Sequence, residues 1–179
     1  MKPASPVLAV AAFALSAGAA LAELTLTSPA MTDGGTLPDA QVFNSFGCTG
    51  GNRSPALAWS GAPEGTKSYI LTMFDPDAPT GSGWWHWTVV NIPADTTDLA
   101  EGASPAALPA GAVEGRTDFG APGYGGACPP AGAAPHRYVF SLYAMPDTVP
   151  LDSGASGAMV GFYAGGALAS ATLTVTYGR

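Results

Sequence analysis

The sequence reads as a mainly β protein, and three observations carry that expectation. Five segments have strand-like composition, a single short segment has helical character, and the rest is rich in turn formers, with 24 glycines and 17 prolines among 179 residues. Glu23–Thr27 (ELTLT) and Thr172–Tyr177 (TLTVTY) alternate apolar residues with threonine, the period of a strand with one face in water. Tyr69–Asp75 (YILTMFD) is almost continuously apolar, as a central strand covered on both faces would be. Trp85–Ile92 (WHWTVVNI) and Arg137–Met145 (RYVFSLYAM) are dominated by aromatic and β-branched residues, which suit a pleated, half-buried surface. The helix candidate is Ala155–Ala164, with Met159, Val160, Phe162 and Tyr163 as its apolar residues. Gly157 and Gly161 inside it each cost up to ~1 kcal/mol of helix propensity, so packing has to hold it. Pro93–Pro135 shows no strong period, and loops of that length are uncommon unless they build a binding surface.

Composition excludes several functions. Six basic against thirteen acidic residues give a net charge of −7, and so few scattered cations cannot form a phosphate-neutralising stripe. Nucleic acid is therefore not an expected partner. Two cysteines are too few for a disulfide-dense mini-domain or a four-cysteine zinc site. Low charge with many aromatics argues for a folded globule rather than disorder.

The first 22 residues have the layout of a secretory signal: Lys2, an apolar stretch from Val7 to Leu21, then Ala20-Leu21-Ala22 ahead of a cleavage expected before Glu23. The stretch is short and alanine-rich for a membrane span. No cysteine follows the cleavage point, which speaks against a lipid-anchored product. The expected mature chain, residues 23–179, is one domain carrying −8, without a transmembrane segment. Its expected location is the periplasm or the medium of a bacterial cell. In such an oxidising compartment Cys48 and Cys128, which do not form a Cys-x-x-Cys motif, are expected to form one structural disulfide.

Some signatures fail. Gly61 to Ser68 has the outline of a phosphate loop, but Thr66 precedes Lys67 and the segment runs into a strand, so the helix-terminus anion site is missing. There is no Gly-x-Ser-x-Gly elbow. The informative cluster is Asp75-Pro-Asp77-Ala-Pro79, Trp85-His86-Trp87, Cys128-Pro-Pro130 and His136-Arg-Tyr138. Asp75 ends one expected strand, while His86 and His136 begin two others. If those strands are neighbours, carboxylates and both histidines meet at one sheet end, where burial is costly without partners.

Three uses of such a cluster stand open. The ligand types would suit zinc, but the separation of His86 from His136 fits no helix- or loop-based metal spacing. Acid–base catalysis is chemically available to paired imidazoles, although no nucleophile or oxyanion device can be named. Ligand binding suits imidazole donors, the backbone of Gly123–Gly126 and nearby carboxylates, with Arg137 as the partner that keeps Asp77 structural.

These motifs resemble the phosphatidylethanolamine-binding protein family, whose pattern is Asp-Pro-Asp-x-Pro, Trp-His before Val-Val-Asn, Gly-x-x-Pro-Pro and His-Arg-Tyr. Here they stand as Asp75–Pro79, Trp85-His86 with Val89-Val90-Asn91, Gly126–Pro130 and His136–Tyr138. Phe46-Gly-Cys48-Thr-Gly and the Trp-Trp-His run are closer still to the bacterial Raf-kinase-inhibitor-like branch that carries a secretion signal. The resemblance implies a central antiparallel sheet packed on a smaller sheet, with few peripheral short helices. It also implies an anion pocket at one sheet end, walled by Asp75, Asp77, Pro79, Trp85, His86, Gly126, Pro129, His136 and Tyr138. A cis proline at Pro76 or Pro79 would suit the turn, and a Cys48–Cys128 bond would clamp a loop beside the pocket. The function implied is that of a non-enzymatic binding or regulatory protein for a small anionic or phosphorylated ligand, with a protein as a second kind of partner and no cofactor or metal. The alternatives are an acid–base enzyme using His86 and His136, or a protein-level inhibitor, for instance of a protease.

Overall fold

In the computed structural model, which describes residues 23–179 and Met1, the apolar run around Tyr69 is the middle of a five-stranded antiparallel sheet. The leader read ahead of Glu23 falls outside that range. The strands are β1 (Thr25–Thr27), β2 (Leu57–Ser60), β3 (Ser68–Asp75), β4 (Trp84–Pro93), β5 (Asp98–Leu99), β6 (Val113–Glu114), β7 (His136–Met145) and β8 (Ala169–Tyr177), with helix α1 at Gly157–Ala164. The large sheet has the order β6-β4-β3-β7-β8 and the small one β1-β2-β5, and all their pairings are antiparallel.

Each face of β3 meets a different layer. Tyr69, Leu71 and Met73 pack with Trp87, Val89, Phe140 and Leu142 and, from the small sheet, Leu26, Leu57 and Trp59. Ile70 points the other way and joins Val90, Val160 and Ala164 beneath α1. Two covered faces explain why β3 lacks the polar alternation of β1 and β8. The outer edge of β8 is not left free for another chain. Gly34 donates to the Thr174 carbonyl (2.8 Å), Leu37 to the Thr176 carbonyl (2.9 Å), and Thr176 to the Gly35 carbonyl (2.8 Å).

Packing supplies what α1 lacks in propensity. Ser156 caps it by accepting the Met159 N–H at 3.3 Å. Gly157 lies against the Trp85 indole so closely that a Cβ there would overlap the ring. Gly161 differs, because its Cβ would meet Trp85 at an ordinary 3.5 Å. Gly161→Ala is therefore expected to stabilise the protein by about 0.5–1 kcal/mol. Thermal unfolding should show a melting temperature higher by roughly 2–4 °C; an unchanged or lower value would mean the helix has no room to gain.

One expectation needs correction. The cis peptide bond among the described residues is Ser104–Pro105, not one at Pro76 or Pro79. The Asp75–Pro79 turn is closed instead by the Asp75 carboxylate, whose Oδ1 accepts the Asp77 N–H at 2.8 Å. A side chain that bonds the backbone two residues on makes the turn without an isomerised proline.

Candidate functional site

Three neighbouring strands deliver their ends to one place. Asp75 closes β3, His136 and Tyr138 open β7, and Trp84 and His86 open β4. With Phe46, Ala78, Pro79, Thr80, Phe119, Cys128, Pro129 and Pro130 they line a cavity of about 190 Å³.

His86 reaches it through a bulge. Met73 pairs with Trp87 and Phe74 with Trp85, so β4 carries one residue more than β3 there, and that residue is His86. A bulge re-aims a side chain that strict alternation would send elsewhere. Trp87 lies in the core beside the small sheet and Trp85 packs on Phe74 (ring centroids 4.5 Å) and Gly157. His86 turns to the same side as Trp87, its ring 5.2 Å from that of Tyr138 and 5.4 Å from Phe119.

Most of the charge at this end is already committed. His136 Nδ1 lies 2.7 Å from Asp75 Oδ2, both groups buried. Asp77 is held outside by Arg137, whose Nε (2.9 Å) and Nη2 (2.8 Å) make a two-pronged contact while its backbone N–H donates at 2.9 Å. Those hydrogen bonds hold the Asp77 carboxyl down at about 2. Among the described residues, no group of three or more His, Cys, Asp or Glu is placed to hold a metal ion.

The polar atoms that remain define what the cavity can accept. His86 Nδ1 is 2.8 Å from the Gly125 carbonyl oxygen. A carbonyl only accepts, so Nδ1 carries the proton. Burial pushes the pKa of this imidazole below its ordinary value despite the opposing effects of the Gly125 carbonyl and Asp75. At neutral pH the ring, with Nδ1–H committed to Gly125, presents Nε2 as an acceptor. The Tyr138 hydroxyl and the Trp84 indole N–H are buried without a hydrogen-bond partner. Burial, and then the Asp75 carboxylate, push the Tyr138 phenol up, so it remains a donor. Leaving such groups unpaired costs about 1–3 kcal/mol each; Gln41 Oε1, Trp59 Nε1 and Thr88 Oγ1, away from the cavity, are also buried without a partner.

The loops around the cavity are tied together. Cys48 and Cys128 form a disulfide, joining two segments 80 residues apart. Across the same two segments Arg179 donates through Nε to the Pro129 carbonyl (2.7 Å) and through Nη1 to the Gly47 carbonyl (3.0 Å). The Phe119 ring packs 4.5 Å from Phe43 and 5.4 Å from Trp84, giving the cavity an aromatic wall.

This constellation has counterparts elsewhere. Residues 27–178 match the family model described as "Phosphatidylethanolamine-binding protein". The chain belongs to that family. Among its relatives is the UPF0098 protein YbcL of Escherichia coli (strain K12), 51% identical over 178 residues, which are 97% of this chain and 95% of YbcL. The YbcL crystal structure, described as a new member of the mammalian PEBP family, superposes with a TM-score of 0.86 at 52% identity and covers 88% of this chain and 99% of that one. The homologue CT736 of Chlamydia trachomatis superposes at 0.74 with 31% identity, covering 88% of this chain and 98% of its own. LppC of Mycobacterium tuberculosis (strain ATCC 25618 / H37Rv), named as a lipoprotein, is 38% identical over 134 residues, 75% of this chain and 61% of LppC.

Of the nine wall positions that the family pattern implies, Asp75, Pro79, His86, Pro129, His136 and Tyr138 line the cavity. Asp77, Trp85 and Gly126 do not. Asp77 faces Arg137, Trp85 lies under α1, and the Gly126 N–H is taken by Asn52 Oδ1 at 2.8 Å. Trp84 takes the place expected of Trp85 because the bulge restarts the alternation. Phe46, Phe119 and Arg179 come from segments without periodic signal, and Phe46, with φ of 54°, sits in a conformation no pattern announces.

Proposed function

We propose that this family member is an exported, non-enzymatic binding or regulatory protein that takes a small anionic group of the phosphate type in the cavity at the sheet end. The observation that carries this reading is the pair of buried, unpartnered donors, Tyr138 O–H and Trp84 Nε1–H, beside two imidazoles anchored through Nδ1. Donors fixed in advance suit an oxyanion, whose hydrogen bonds are stronger than those between neutral groups. The group can arrive free, on a lipid headgroup or on a protein. Export is supported by the disulfide, a bond that persists in oxidising compartments, by the leader-like first 22 residues and by the mycobacterial relative with a lipoprotein name. No helix among the described residues is long and apolar enough to cross a membrane.

Titration calorimetry with inorganic phosphate on wild type and Tyr138→Phe tests the reading. A lost hydrogen bond to a charged group is worth about 1.5–3 kcal/mol, so the variant should bind roughly 10- to 100-fold more weakly. Its melting temperature should not fall, because the hydroxyl has no protein partner to lose. Equal affinity would remove the proposal. Release of phosphate from phenyl phosphate, abolished in His136→Ala, would instead establish an acid–base enzyme.

A further inference from the structure

We infer that Phe46 is a specificity-determining residue of the cavity: with Phe119 it forms a shelf at the rim for a compact apolar group, about one ring in size, carried by the bound anion. The inference rests on the phosphate-type reading and adds what the anionic group is attached to.

The backbone at Phe46 is the first observation. The Ser45–Cys48 turn is closed by the Cys48 N–H, which donates to the Ser45 carbonyl at 2.9 Å. Both central residues have positive φ, 54° at Phe46 and 81° at Gly47, as in a type I′ turn. Glycine, asparagine and aspartate dominate such positions. Gly47 obeys that rule and Phe46 breaks it. A Cβ in the left-handed region crowds the following carbonyl, and a bulky side chain there is an outlier. Burial does not offset the cost, because Phe46 is 68% exposed. The surroundings impose the conformation instead. Arg179 donates through Nη1 to the Gly47 carbonyl (3.0 Å) and through Nη2 to the Phe46 carbonyl (3.4 Å), and Cys48, two residues on, is bonded to Cys128. Strain held in place from outside, with no return in burial, points to a use for the side chain.

The place of the ring supplies that use. Phe46 lines the cavity although most of its surface is open to water. It packs on Phe43 (ring centroids 5.4 Å) and Phe119 (6.0 Å). Phe119 in turn sits on Gly125, where a Cβ would overlap its ring, and the Gly125 carbonyl accepts from His86 Nδ1 at 2.8 Å. One residue thus positions both the shelf and an imidazole of the polar wall. The strand ends contribute Asp75, His86, His136 and Tyr138, whereas the loops contribute Phe46, Phe119, Pro129 and Pro130. The cavity of about 190 Å³ has room for more than a phosphate, since one water needs only ~10–15 Å³ of such space. A bare phosphate uses the polar side chains and leaves the rings facing water. An apolar substituent covers them, with a gain that grows with the area buried and with ring contact. Because the shelf is uncharged, it serves mono- and diesters alike and does not depend on the protonation of His86 or His136.

The test is calorimetry at pH 7 with methyl phosphate and phenyl phosphate on wild type, Phe46→Ala and Phe46→Gly. Wild type should bind phenyl phosphate about tenfold more tightly than methyl phosphate. Both variants should bring the two esters within about threefold of each other, through weaker binding of phenyl phosphate alone. The two variants also read the backbone. Both lack the ring, but only glycine is free of the left-handed cost, so Phe46→Gly should melt about 2–4 °C above Phe46→Ala. A wild type without preference for phenyl phosphate, or a preference that persists in both variants, overturns the inference and leaves a phosphate-type pocket in place. Equal loss of methyl phosphate binding in the variants overturns it too, since Phe46 would then order the pocket and not select the substituent. A Phe46→Gly protein that melts no higher than Phe46→Ala removes the strain on which the inference stands. Absence of binding of both esters and of inorganic phosphate by wild type overturns the phosphate-type reading and this inference with it.

Discussion

Replacing both Cys48 and Cys128 by serine is expected to lower stability by about 2–5 kcal/mol. The bond closes a span of 80 residues, so its loss frees a large part of the unfolded chain's conformational entropy. For a domain of this size that corresponds to a drop of roughly 10 °C in melting temperature. Phosphate affinity should fall as well, because Cys128 lines the cavity beside Pro129 and Pro130 and a looser loop must be ordered on binding. The two effects separate in a cycle with Arg179→Ala, since Arg179 bonds carbonyls on both tied segments. The double change should cost more affinity than the sum of its parts, because each tie compensates for the other. Unchanged stability after removal of the disulfide would mean that the loops are held by Arg179 and the aromatic wall alone.

Gly126→Ala is expected to be the most damaging single methyl addition near the cavity, at about 3 kcal/mol. A Cβ at this position would run into the Gln41 carbonyl oxygen, the Val42 carbonyl carbon and the Phe43 nitrogen, all of them backbone. Side chains can rotate aside, but these atoms are held by the Val42–Ala127 bridge and by the Phe43 N–H bonded to the Ala127 carbonyl at 2.9 Å. Denaturant unfolding should show a lower midpoint with an unchanged slope. Loss of phosphate affinity without loss of stability would mean instead that Gly126 serves the ligand directly.

Much of the architecture is written in local pattern. The five expected strands are present, and the helix expected over Ala155–Ala164 forms at Gly157–Ala164. Their ends move by up to three residues, as at Ala169, where β8 begins before the Thr-rich run. Period alone does not show β2, whose four residues lie between Pro55 and Gly61, or β5 and β6, which hold only two residues each inside Pro93–Pro135. Those short ladders exist because a longer neighbour offers them an edge, a tertiary cause that leaves no local trace.

The site divides along the same line. Asp75, His136 and Tyr138 are legible because regular alternation carries them to one face of adjacent strands. The Trp84–Trp85 exchange is not legible, since an extra residue in a ladder is visible only against the partner strand. The wall of Phe46 and Phe119, the Arg179 clasp and the steric role of Gly126 all depend on loops meeting from distant parts of the chain. Family resemblance supplies the neighbourhood of those contacts without their direction. Hence Gly126 was expected as a wall and is found as a crossing point between two backbones.

The extra residue at His86 also means that the cavity is specified by register and not only by side-chain type. Substitutions from Trp84 to Trp87 vary the chemistry of a cavity whose orientation is already set. Removing one codon at Trp85 would instead return β4 to strict alternation and carry the imidazole to the α1 side of the sheet. A mutant library made by exchange alone thus explores what the cavity holds, whereas one containing single-residue deletions explores whether it exists at all.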